Sequence, residues 1–262
     1  QGVLDVGISA NVGNQTAKAD GSFLSAIVAI GILAGLLTGS ADAQFLNPVQ
    51  TLSAEDGAVA NLEGASSVAL SPDGAHVYAA ANSSNALLVF ARDDTTGTLT
   101  GTQTLLDGEG GVDGLDGAES VVVSPDGKHV YVASLGDNAV AVFSRDGGTG
   151  ALTFVEVLIQ NQGGVLGLSG AFIIEISPDG NNVYVIPLFN DEIAVFARDD
   201  STGELTFVET LVDGQSGVDG LSTAIGMAIS PDGKHLYAAS QGDSAVSLFS
   251  RNDITGELTF VE

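Results

Sequence analysis

The tetrapeptide Ser-Pro-Asp-Gly stands at 71–74, 124–127, 177–180 and 230–233, so one unit returns every 53 residues without insertion or deletion. Thr-Gly follows in the same register at 96–97, 149–150, 202–203 and 255–256. A period this strict leaves few folds open. Each unit must be one supersecondary element that buries its apolar surface against its neighbours. In the unit beginning near Gly117, short apolar or β-branched runs at 120–124, 130–134, 139–145 and 152–159 alternate with turn residues. Pro125 and Gly127 hold the second and fourth places of a type I turn, residues 136–138 (Gly-Asp-Asn) make another, and Gly150 is free to take positive φ in a third. The run 140–143 is apolar on both faces, as a strand covered on both sides requires. The pattern predicts an all-β chain, a β-propeller of four-stranded antiparallel blades.

The aromatic residues keep the same register. Tyr78, Tyr131, Tyr184 and Tyr237 share one repeat position, and Phe90, Phe143, Phe196 and Phe249 share another, which marks them as packing between blades. Residues 45–50 match the outer strand of later units, so 44–262 holds about four blades and a leading strand. Glu262 falls in mid-repeat, and seven such units would need about 370 residues. The expectation is a fragment of a larger ring of about seven blades.

Charge narrows the partners. There are 33 acidic residues and 7 basic ones, a net charge of −26, and from Phe45 onward the balance is 30 to 6, or −24. Such a surface repels nucleic acid and anionic membrane. The absence of cysteine excludes disulfides and thiolate chemistry. Residues 1–43 form a separate N-terminal segment. Its stretch 21–41 carries no charge and ends near Ala41 and Ala43, the small-x-small pattern of a signal cleavage site. It reads as a secretory signal cut after Ala43 or, uncleaved, as a membrane anchor through 21–41. Either makes the protein exported: extracellular, periplasmic or cell-surface.

The unit combines Ser-Pro-Asp-Gly, Val-Tyr (77–78, 130–131, 183–184), Phe-Ser/Ala-Arg-Asp (90–93, 143–146, 196–199) and Thr-Gly-x-Leu (96–99, 149–152). In these motifs residues 45–262 resemble the repeat of the lactonase-type β-propeller family, whose founding activity is 6-phosphogluconolactonase. The resemblance implies a ring that is typically seven-bladed and a family with many exported members. Many carriers of the repeat have no demonstrated lactonase activity, so it implies a fold more firmly than a reaction.

Repeat-equivalent residues are rotated apart around an axis and do not converge on one substrate. His76, His129 and His235 are therefore expected as strand-edge surface residues, and Arg92, Arg145, Arg198 and Arg251 as locally paired at turns. Glu119 and Glu175 differ: they are the charges on the innermost strands and do not repeat, which makes them the candidate catalytic carboxylates. Asp107, Asp113 and Asp116 of one inter-unit connection, and Asp213 and Asp219 of another, fall on one acidic face with Asp137, Asp191 and Asp243. All-oxygen donors of this kind suit a hard cation, with calcium the candidate and no other cofactor indicated. Pro187, Leu188 and Phe189 place apolar residues on that face, a candidate partner or ligand contact. The sequence suggests a binding or scaffold module for a protein or carbohydrate partner. The alternative is a lactone hydrolase with its site in the central channel.

Overall fold

The computed structural model describes residues 49–54 and 59–262. The readings of segment 1–43 and of positions 44–48 fall outside the described residues. Four antiparallel sheets of four strands follow one another. Blade 1 comprises β1 (Ala65–Leu70), β2 (His76–Ala81), β3 (Ala86–Arg92) and β4 (Leu99–Leu106). Blade 2 comprises β5 (Ala118–Val123), β6 (His129–Ser134), β7 (Ala139–Arg145) and β8 (Leu152–Ile159). Blade 3 comprises β9 (Ala171–Ile176), β10 (Asn182–Pro187), β11 (Glu192–Arg198) and β12 (Leu205–Val212). Blade 4 comprises β13 (Ala224–Ile229), β14 (His235–Ser240), β15 (Ala245–Arg251) and β16 (Leu258–Phe260).

Each sheet is ordered as the chain runs, and the first strands of successive blades lie against one another around the axis. Side-chain hydroxyls stitch these inner strands together. Ser67 Oγ accepts from the Val121 amide at 3.2 Å, and Ser66 Oγ donates to the Ala118 carbonyl at 3.0 Å. The two outer strands of blade 2 keep the expected bounds, whereas β5 begins at Ala118, two residues before the expected start. Its pairing with β6 slips between Ala118 and Ser120, a bulge that leaves Glu119 out of the ladder. Outer edges are tied as well. Gln103, Glu156 and Glu209 each accept from the first amide of the next blade's outer strand (Leu152, Leu205, Leu258), and Gln50 does the same for Leu99. Gln50 thus has the outer-strand role its register implies, although it lies outside any strand.

Apolar burial is between blades rather than within them. Tyr78, Leu87 and Val89 of blade 1 meet Leu115, Val130, Val132 and Phe143 of blade 2, and the same set recurs at the next two joints. Phe143, Phe196 and Phe249 each meet a second phenylalanine edge to face, at 5.7, 5.8 and 5.6 Å between centroids. Tyr78, Tyr131 and Tyr184 are fully buried, but Tyr237 is 39% exposed and its neighbour in the sheet, Val246, is 68% exposed. Packing between blades therefore holds for three of the four tyrosines.

Two readings are corrected here. His76 and His129 are buried, not strand-edge surface residues, and Arg145, Arg198 and Arg251 bind across blades, whereas Arg92 bonds locally to the Gly74 carbonyl as expected. In the Ser-Pro-Asp-Gly turn the Gly127 amide donates to the Ser124 carbonyl at 2.8 Å, and Asp126 Oδ1 accepts from Ser124 Oγ at 2.5 Å. Asp126 Oδ2 turns outward to Arg198 Nη2 of the next blade, 2.9 Å away. That guanidinium also donates from Nε to Tyr131 Oη at 2.7 Å and from Nη1 to the Gly180 carbonyl at 2.9 Å. Its Nη2 lies 2.7 Å from His129 Nδ1. Arg145 repeats the set on Asp73, His76, Tyr78 and Gly127, and Arg251 on Asp179, Asn182, Tyr184 and Gly233. The Thr-Gly glycine has a steric reason: the His129 ring lies on Gly203 so closely that a Cβ there would overlap it.

Candidate functional site

The inner strands carry both carboxylates singled out by sequence. Glu119 is the second residue of β5 and Glu175 the fifth of β9, half-buried in adjacent blades. Three residues of strand rise separate them along the axis, about 10 Å, so they do not form a pair that shares one proton. Glu119 Oε1 accepts from Asn82 Nδ2 of blade 1 at 2.6 Å, at the end of the channel near the turn between second and third strands. Burial pushes its carboxyl up and the Asn82 bond partly offsets this. Glu175 has no hydrogen-bond donor among the described residues, and burial alone pushes its carboxyl up to about 7. A carboxyl poised there exchanges a proton at neutral pH, as a general base must.

Asn82 escaped the sequence reading. Leu135, Leu188 and Gln241 occupy its repeat position, so the asparagine itself does not repeat, but a second polar residue among the four weakens that signal. The channel holds no cation among the described residues. Arg145, Arg198 and Arg251 are engaged between blades, Arg92 donates to the Gly74 carbonyl, and Lys128 and Lys234 belong to Ser-Pro-Asp-Gly turns.

On the acidic face, each connection uses its carboxylates to hold itself. Asp107 Oδ1 accepts from the Leu115 amide at 2.9 Å, Asp113 Oδ1 from Gly114 at 3.0 Å, and Asp137 Oδ2 from Asp116 at 2.8 Å. Asp213, Asp219 and Asp243 repeat this on Leu221, Gly220 and Ser222. In the connection between blades 2 and 3, Gln160 Oε1 does the work of Asp107 by accepting from Leu168. Asp107, Asp113 and Asp137 bring one oxygen each within 4.8 Å of one another. Asp116, Asp213 and Asp219 are not part of that group. Burial, with neighbouring Asp107, Asp116 and Asp113, raises the Asp137 carboxyl.

The apolar trio divides. Pro187 ends β10 buried, paired with Ala171, and so offers no contact surface. Leu188 is half-buried, and Phe189 alone is fully displayed, 61% exposed with its ring over Gly170. The correction has a local cause: Pro187 takes the last place of the strand, and its register there is irregular.

Four blades stacked about an axis, with inner strands lining a channel, define a β-propeller. Residues 36–109, 94–165 and 120–262 match the family described as lactonase, 7-bladed beta-propeller, and the chain belongs to that family. Among its relatives, the 6-phosphogluconolactonase of Klebsiella pneumoniae (strain 342) is 28% identical over 141 residues, covering 53% of this chain and 41% of the relative. A solved structure from Bacteroides uniformis, provisionally named a 6-phosphogluconolactonase, superposes with a TM-score of 0.62 at 26% identity, covering 76% of this chain and 53% of that one. The periplasmic gluconolactonase of Pseudomonas aeruginosa shares the fold, with a TM-score of 0.61 at 23% identity over 76% of this chain and 53% of that one. The chain thus spans about half the length of the relatives it matches.

Proposed function

We propose that the protein is a lactone hydrolase whose site lies in the central channel, with Glu175 as general base. The observation that carries this reading is a half-buried carboxyl, without a donor among the described residues, on an inner strand of a chain that belongs to the lactonase family. These relatives favour the hydrolase over the binding or scaffold module. In the reaction, Glu175 takes a proton from water as the water oxygen bonds to the lactone carbonyl carbon. The ring C–O bond then breaks, and the proton passes to the departing alkoxide, leaving a hydroxy acid. Glu119, held by Asn82, borders the same channel toward its opposite end. A neutral sugar lactone is the proposed substrate class, because a phosphate dianion needs a cation or a helix N-terminus aimed at it. The described channel has neither, and the charge of −24 from Phe45 onward repels an anion on approach. The export suggested by residues 21–43 belongs to the same proposal.

The test compares phosphorylated and unphosphorylated gluconolactone against the spontaneous background. Saturable turnover of the neutral lactone is expected, with Glu175→Gln lowering kcat by about 100-fold or more, the scale of general-base catalysis. The same variant should be more stable than the wild type at pH 8. With its folded value near 7 and its unfolded value near 4.5, Glu175 keeps a proton in the native state that the unfolded chain loses. Stability therefore falls as pH rises through that window, and glutamine removes the loss. No saturable turnover of either lactone, or full activity in Glu175→Gln, would overturn the assignment.

We also propose weak calcium binding by Asp107, Asp113 and Asp137, supported by their convergent oxygens. Millimolar calcium is expected to raise the Tm more than sodium at equal ionic strength, and Asp137→Asn to remove the excess. Equal shifts in the two salts would mean that the carboxylates serve only as turn caps.

A further inference from the structure

The three joints between blades use one arginine network but differ in a single acceptor. Blade 1 offers His76 and blade 2 offers His129, whereas blade 3 offers Asn182 at the same repeat position. Asn182 shows what the position has to do. Its Oδ1 accepts from Arg251 Nη2 at 2.7 Å, and its Nδ2 donates to the Thr255 carbonyl at 3.3 Å. The histidines stand in for its acceptor: His76 Nδ1 lies 3.0 Å from Arg145 Nη2, and His129 Nδ1 lies 2.7 Å from Arg198 Nη2. A guanidinium only donates, so Nδ1 must accept, and the ring proton resides on Nε2. An imidazolium would turn a donor toward a donor and place two cations side by side. The ring cannot retreat, because His76 is pressed on Gly150 and His129 on Gly203, each closer than a Cβ would tolerate.

We propose that the blade stack contains acid-sensitive joints: neutral His76 and His129 lock the first two interfaces and release them on protonation, while Asn182 keeps the third locked. The groups facing His76 are Arg145, Asp73, Asp146 and Tyr78, and those facing His129 are Arg198, Lys128, Asp126, Asp199 and Tyr131. The aspartates favour the cation. Burial and the arginine outweigh them and hold both rings below the usual histidine value of 6.5. As pH falls through 6.5 the unfolded chain takes up protons that the folded joint refuses. Stability is full above that pH and is lost progressively down to the lowered folded value. Glu175, Glu119 and Asp137, whose carboxyls are raised, tilt the profile the other way, so the difference between variants is the informative quantity.

Urea unfolding of the whole chain between pH 8 and pH 5 tests this with three proteins: wild type, His76→Asn/His129→Asn, and Asn182→His. Relative to the double variant, the wild-type folding constant should drop below pH 6.5 by up to about tenfold per pH unit for each histidine. Asn182→His should add a further drop of the same kind. Parallel profiles for all three would overturn the proposal. A second measurement depends on no variant. Imidazole nitrogen-15 shifts at pH 7.5 should report the Nε2–H tautomer for His76 and His129, and an Nδ1–H tautomer or a cation at either would equally overturn it.

Discussion

Arg198→Met is expected to destabilise the protein by about 3–5 kcal/mol, the range for breaking a buried ion pair from one side. The side chain is 2% exposed and bonds to four groups in two blades. Methionine fills much of the volume but leaves the Asp126 carboxylate, His129 Nδ1 and the Gly180 carbonyl without their donor. Lysine is expected to recover little, since one ammonium cannot reach positions fixed for a planar fork. Arg92→Met provides the contrast. Arg92 donates from Nη1 to the Gly74 carbonyl at 3.2 Å and makes no ion pair among the described residues. Its loss should cost under about 1 kcal/mol, as at an ordinary partly exposed site. Urea unfolding of both variants decides the matter, and similar losses would mean that the guanidiniums do not join the blades.

Tyr131→Ala should cost about 3–5 kcal/mol, as truncating a fully buried large aromatic does. Its ring packs against blade 3, and its hydroxyl donates to the Gly203 carbonyl at 3.0 Å while accepting from Arg198. Tyr237→Ala, at the same repeat position but 39% exposed, should cost about 1 kcal/mol. Thermal or denaturant melts at one pH compare the two directly. An equal loss would show that the face of blade 4 is covered in solution.

Much of the architecture was legible because the period repeats every constraint. Four occurrences of Ser-Pro-Asp-Gly and Thr-Gly set the turns, and the apolar runs between them could only be strands. The blades, their antiparallel order and the burial of the phenylalanines followed from that register. His76 and His129 were misread for a physical reason. A position next to a turn looks solvent-exposed along the chain, and nothing local shows that the following blade's Thr-Gly turn lies over it. Arg145, Arg198 and Arg251 were misread in the same way, since Arg145 and Asp73 are 72 residues apart and their pairing is invisible within one unit.

For the candidate site, the sequence alone determined which carboxylates stand outside the repeat, and so singled out Glu119 and Glu175. Tertiary structure decided what each can do. Burial lifts Glu175 to about 7, while Asn82, reaching over from blade 1, holds Glu119. It also decided which aspartates approach one another, bringing Asp137 to Asp107 and Asp113 and leaving Asp116, Asp213 and Asp219 outside that group. The division has one cause. Strand, turn and repeat are written in local spacing, whereas proton affinity and convergence depend on what a neighbouring blade removes from water or brings within a few ångströms.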